Sequence, residues 1–150
     1  MRKKYYLAYG SNLNIEQMKL RCPTATVIGT GYIDGYELLF KGSKTGSYLT
    51  IEPHPLGKVP VGVWSVTEAD EKALDFYEGF PAFYYKKDIT LAVKMTNGRT
   101  RPVHAFVYIM HEDRRLGLPT RHYVDTCLKG YADFGFNTLF LSDAIERSDV

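Results

Sequence analysis

Asn97-Gly98 stands between two stretches of alternating apolar and polar residues, Asp88 to Thr96 and Val103 to Met110. A period of two marks a strand with one face buried. An Asn-Gly pair readily adopts the positive φ angles of a two-residue type I′ turn. The segment therefore predicts a β-hairpin, which commits at least part of the sheet to antiparallel pairing. With Asn97 and Gly98 as the two loop residues, Lys87 faces Tyr108. Tyr85 then lies on the same face, diagonal to Tyr108. Pro102 removes a donor from the second arm, a sign of a bulge or an edge strand.

The rest of the chain is also rich in strand signals. Tyr5 to Tyr9 is a short apolar run, closed by Gly10-Ser11-Asn12. Ala25 to Phe40 carries β-branched and aromatic residues and reads as one bent strand or two short ones. Ser47 to Glu52 and Val59 to Val66 are further strands, separated by Pro53, Pro55 and Gly57. Helix signals are few. Leu13 to Arg21 is short, with Ser11 or Asn12 as its cap and Pro23 beyond its end. Thr67 and Asp70 form a capping-box pattern, with Ala69, Ala73, Phe76 and Tyr77 as an apolar face and Gly79 as the stop. Thr120 caps a stripe of Tyr123, Val124, Cys127, Leu128 and Tyr131 that Gly135 ends, and residues 138–147 form a weaker helix. Strands and helices do not alternate regularly, so a doubly wound parallel sheet is excluded. The pattern predicts one α+β domain over residues 1–150, with a curved, partly closed sheet and a few short helices.

Composition narrows the function classes. The 150 residues carry 19 Lys and Arg against 17 Asp and Glu, a net charge of +2. That balance argues against a nucleic-acid coat, and no basic stripe is present. The apolar run after Met1-Arg2-Lys3-Lys4 is too short for a signal peptide or a membrane span. Cys22 and Cys127 form no Cys-x-x-Cys pair and read as core thiols in a reduced, cytoplasmic setting. His54, His104, His111 and His122 have no metal-ligand spacing, so no metal is expected. A P-loop, a dinucleotide fingerprint and a nucleophile elbow are also lacking.

Three features carry possible chemistry. Tyr9-Gly10-Ser11-Asn12-Leu13 joins a strand to a helix. It is either a capped helix start or a turn whose free N–H groups bind an anion. Glu78 falls in the last turn of a helix, where the macrodipole disfavours a carboxylate and raises its pKa. It is either a solvated terminal glutamate or a general acid/base working near neutral pH. Tyr85 and Tyr108 are either an aromatic core pair or two hydroxyls near a site.

Together these residues resemble the γ-glutamylcyclotransferase family. Tyr9-Gly10-Ser11-Asn12-Leu13 is similar to its Y-G-S-N-L signature, and Leu74-Asp75-Phe76-Tyr77-Glu78-Gly79 followed by Tyr85 to its Glu-Gly segment. Ala105-Phe106-Val107-Tyr108 resembles a late sheet strand of the family. Pro119-Thr120-x-x-Tyr123 resembles its P-S-x-x-Y helix start, with Thr in place of Ser. The resemblance implies a small α+β domain with a mixed, barrel-like sheet and a cavity at one end. It also implies cyclisation of a γ-glutamyl amino acid or amine to 5-oxoproline, with release of the amine and without a cofactor. Glu78 matches the catalytic acid/base. Leu7, Ala8, Tyr9, Gly10, Ser11 and Asn12 match the part that holds the γ-glutamyl group. Tyr123 and Tyr85 match substrate-contacting tyrosines, and the hairpin register adds Tyr108. The expected partner is a small γ-glutamyl molecule, with neither nucleic acid nor membrane. The alternative is a non-catalytic module that binds a small ligand in the same pocket.

Overall fold

The computed structural model describes residues 3–44 and 46–150. Five strands close into a barrel in the order β1-β3-β2-β4-β5. They are β1 (Lys4–Ala8), β2 (Thr26–Lys41), β3 (Tyr48–Val66), β4 (Tyr84–Met95) and β5 (Thr100–Met110). Four α-helices flank the barrel: α1 (Ile15–Arg21), α2 (Glu68–Glu78), α3 (Arg121–Phe134) and α4 (Leu139–Ser148). The sheet is mixed, because β1 joins β5 in parallel while the other neighbours are antiparallel. Leu38, Phe40, Ile51, Val61, Val63 and Val107 are among the buried side chains that fill the core. No helix among the described residues is long and apolar enough to cross a membrane.

The long β2–β3 arm shows how turn residues can punctuate a strand without ending it. β2 is one bent strand, with register shifts between Val27 and Gly29 and between Asp34 and Tyr36. At the second shift Asp34 pairs with Lys58 and Tyr36 with Pro53, so four residues of β3 oppose one of β2. Pro53, Pro55 and Gly57 thus mark a bulge within a single strand, with His54, Pro55 and Leu56 exposed on it. Pro55 lies in the unpaired stretch and Pro53 at its edge, so the donors they lack cost little.

The hairpin forms, but its register differs from the expected one. Met95 N–H donates to Arg99 O at 2.7 Å and Gly98 N–H to Met95 O at 2.9 Å. The loop therefore holds three residues, with Gly98 at φ +87° in the left-handed region. One extra loop residue moves every pair by one position, and a one-residue slip sends each side chain to the opposite face. Lys86 now faces Tyr108 and Tyr85 faces Ile109, so Tyr85 and Tyr108 lie on opposite faces. Pro102 pairs with Ala92 in an unbroken ladder. Its other side is open, because β5 meets β1 only at Phe106, and this fits the edge reading.

Two helices differ from expectation. A 3₁₀ turn over Ser11–Leu13 precedes α1, and Asn14 is the cap, its side chain accepting from Gln17 N–H at 3.0 Å. Neither Ser11 nor Asn12 caps, because the turn draws Leu13 into the core first. In α2 the buried residues are Asp70 and Leu74, not the expected face of Ala69, Ala73, Phe76 and Tyr77. Asp70 is satisfied inside: it accepts from Thr67 N–H at 3.0 Å and from the Thr24 hydroxyl at 2.7 Å. Phe76 is left 91% exposed.

Candidate active site

Glu78 ends α2, and the chain beyond it is set by backbone bonds. Gly79 takes φ +62°, and Gly79 and Phe80 N–H donate to Phe76 O and Asp75 O at 3.2 and 2.9 Å. A left-handed residue here caps the last carbonyls, and glycine adopts it without strain. The helix is also pinned sideways onto the barrel. The Tyr108 hydroxyl donates to Asp75 at 2.6 Å, and Lys86 Nζ contacts Asp75 at 2.8 Å and Glu71 at 2.6 Å. Lys4 adds a contact to Glu71 at 3.0 Å. Glu78 is thereby held at a fixed place over the end of the sheet.

The carboxyl of Glu78 is half-buried and has neither an ion pair nor a hydrogen bond among the described residues. Burial pushes its pKa up from 4.5 to about 7, against a smaller downward pull from the Arg21 guanidinium. A carboxyl of that pKa exchanges a proton near neutrality in either direction. The surrounding tyrosines stay protonated: burial first, and then the charge of Glu78, raises Tyr9 well above 10, and burial, with smaller effects of Tyr9, Tyr123 and Glu78, does the same to Tyr84. Tyr123 is raised in the same way by burial.

The loop after β1 faces this carboxyl. Ser11 Oγ lies 2.9 Å from the Tyr77 hydroxyl, linking loop to helix. The Asn12 side chain donates to Tyr6 Oη at 2.9 Å and accepts from Arg21. Arg21 in turn lies over the Tyr77 ring, 3.5 Å from its centroid. Asn14 Nδ2 donates to Thr126 O at 3.3 Å and Ile15 N–H to Asp133 at 3.1 Å, which ties the loop to α3. The main-chain N–H groups of Gly10, Ser11 and Asn12 meet no acceptor among the described residues, although these residues are buried. Buried donors of this kind suit an anionic or carbonyl oxygen. Gly10 has a packing role too: a Cβ there would lie 3.1 Å from Tyr123 Oη.

Between helix and loop is a cleft of about 300 Å³, which Ser11, Glu78, Gly79, Tyr84 and Tyr123 line together with Tyr48, Phe76, Tyr77 and Phe83. One residue of β3 orients two of its walls: Leu49 N–H donates to Tyr123 Oη at 3.2 Å, and the Tyr84 hydroxyl donates to Leu49 O at 2.7 Å. A larger groove of about 780 Å³ runs between β2 and β4, but neither Glu78 nor the loop lines it. Among the described residues no three His, Cys, Asp or Glu side chains are grouped to hold a metal ion.

The fold thus brings Ser11, Glu78 and Tyr123 into one cleft, with Gly10 against Tyr123. Leu7, Ala8, Tyr9 and Asn12 are buried behind it, the Tyr9 hydroxyl donating to Tyr108 O at 2.7 Å. Tyr85 and Tyr108 do not line the cleft. The Tyr85 hydroxyl bonds Glu112, and that of Tyr108 bonds Asp75 beneath α2. The shifted hairpin register places the two on opposite faces of the sheet. Tyr48, Phe83 and Tyr84 were not foreseen, since no local pattern relates them to Glu78. Tyr77 and Phe76 lay inside the Glu-Gly segment but read as a buried face.

Residues 6–125 match the family described as gamma-glutamyl cyclotransferase, AIG2-like. A human gamma-glutamylcyclotransferase is 30% identical over 112 residues, a match spanning 70% of this chain and 58% of that protein. A solved gamma-glutamyl cyclotransferase superposes with a TM-score of 0.78 at 23% identity, over 95% of this chain and 86% of its own. A yeast gamma-glutamyl cyclotransferase specific to glutathione superposes at 0.63 and 9% identity, over 99% and 98%. At those identities the two structures share the fold. The chain belongs to the gamma-glutamyl cyclotransferase family.

Proposed function

We propose that the protein cyclises a γ-glutamyl amino acid or amine to 5-oxoproline and releases the amine, with Glu78 as the acid/base. The observation that carries this reading is the half-buried Glu78 carboxyl, without a partner among the described residues and with its pKa raised to about 7, in a cleft that Ser11 of the Gly10–Asn12 loop also lines. In the reaction the α-amino nitrogen forms a bond to the γ-carbonyl carbon, and the bond from that carbon to the leaving nitrogen breaks. Glu78 takes a proton from the α-ammonium group and returns one to the leaving nitrogen, so nothing is oxidised or reduced. The loop N–H groups serve the oxygen on which charge develops. Nucleophile and electrophile belong to one molecule, so the pocket has only to fold it into a near-attack shape. The test is incubation with a panel of γ-glutamyl amino acids and amines and measurement of 5-oxoproline. Formation by the native protein, lost in Glu78→Gln, supports the reading. Binding of panel members without 5-oxoproline replaces it with a ligand-binding module.

A further inference from the structure

The cleft is asymmetric in its chemistry. One end is polar, with Glu78 and Ser11. Six of its nine lining residues are aromatic, and the exposed ones are Phe76 at 91%, Tyr48 at 47% and Tyr77 at 42%. Tyr48 stands edge-on to Tyr123, with centroids 5.1 Å apart and planes at 84°. It stands the same way to Phe83, at 6.4 Å and 88°. The result is a three-ring corner that opens outward past Phe76. Phe76 is an apolar side chain in the last turn of α2 with almost none of its surface covered, although the helix is firmly docked through Asp75 and Glu71.

We propose that these rings form the subsite for the leaving amine, and that it takes an amine with an aromatic or other large apolar body. This rests on the cyclotransferase reading, which places the glutamyl part on the loop and the scissile bond at Glu78. The amine then extends away from the loop, over Tyr48, Phe83 and Phe76. Among the described residues Glu78 is the only charged residue that lines the cleft. Aromatic faces attract cations in general. Here two are already taken: Arg21 lies over Tyr77 at 3.5 Å, and Arg114 over Phe83 at 4.8 Å. A cationic tail would meet those guanidinium charges. A flat or branched apolar body covers the exposed rings and meets no such penalty.

Four γ-glutamyl amides test the subsite, made from ethylamine, 2-phenylethylamine, β-alanine and 1,3-diaminopropane. Formation of 5-oxoproline gives kcat/KM for the native protein, and calorimetry on Glu78→Gln gives affinity without turnover. The phenylethyl amide should exceed the ethyl amide roughly ten-fold or more in both measurements, the range that one added apolar group commands in a fitted pocket. The two charged tails should fall below the phenylethyl amide. Phe76→Ser, at an exposed position that folding does not need, should remove most of the phenylethyl advantage. Equal values for the ethyl and phenylethyl amides, preference for a charged tail, or an advantage that survives Phe76→Ser overturns the subsite. If no amide yields 5-oxoproline, the cyclotransferase reading fails by itself. The calorimetric order still decides the subsite, a phenylethyl preference supporting it and equal affinities overturning it.

Discussion

Glu78 concentrates the chemistry of the molecule in one carboxyl, and its environment makes opposite demands on activity and stability. Burial favours its neutral form, so the folded state holds the proton up to about pH 7, whereas the unfolded chain releases it near 4.5. Native stability is therefore lost as pH rises from about 4.5 through 7 and then levels off. Glu78→Gln keeps the shape and removes the titration. The variant should lose turnover by about 10²–10⁴-fold. It should melt with the native protein near pH 4 and above it at pH 8, by an amount of order 1–3 kcal/mol. In the native protein kcat/KM should fall on the acid side with an apparent pKa of about 7. Normal turnover in Glu78→Gln, or a melting difference that does not grow with pH, would remove Glu78 from the role.

At the scale of elements, α2 matters through the way it is fastened. Its last turn is held by the Tyr108 hydroxyl and Lys86 on Asp75, side chains from two strands of the hairpin. Tyr108→Phe deletes a hydrogen bond to a carboxylate at little cost in volume and should destabilise by about 1–2 kcal/mol. Tyr85→Phe gives the contrast. Its hydroxyl bonds Glu112 at the surface, outside the cleft, so kcat/KM for any accepted substrate should stay at the native value. Parallel melting curves and rate measurements on the two variants check this. A drop in kcat/KM for Tyr85→Phe would return that tyrosine to the site.

Across the whole molecule the thin seam is β1 against β5, where one parallel bridge, Tyr6 to Phe106, closes the barrel. Side chains span the rest: Tyr6 packs on Phe106 and Tyr108, and Glu71 receives Lys4 and Lys86. Burial opposes the charge of Glu71, but the two lysine contacts win and hold its carboxyl below the usual range. Its contribution is thus present above the unfolded pKa and lost as pH falls through the folded one. Glu71→Gln should cost about 1–2 kcal/mol at neutral pH, and the loss should shrink toward zero in strong acid. Because Glu71 loses stability on the acid side and Glu78 on the neutral side, the native protein should melt highest at mildly acidic pH. A scan of melting temperature from pH 3 to 9 on the native protein and both variants reads the two effects separately.

Local rules determined a good part of this protein. The Thr67–Asp70 capping box, the stop at Gly79, the Thr120 cap and the strand-rich composition all follow from neighbours a few residues apart, where propensity and capping act. The Y-G-S-N-L loop and Glu78 were legible because their residue types lie in contiguous segments. Tertiary structure decided the rest. One additional loop residue at Asn97-Gly98 moved Tyr85 and Tyr108 to opposite faces, a choice between closely related turns that the sheet resolves. Pairing along β2 turned the breaks at Pro53 and Gly57 into a bulge. The burial of Asp70 in place of Phe76 depended on a partner, Thr24, far away in the chain. The aromatic walls of the cleft come from β3, α2, α3 and the approach to β4. Their meeting at Glu78 is a product of barrel closure, to which no periodicity within one segment can testify.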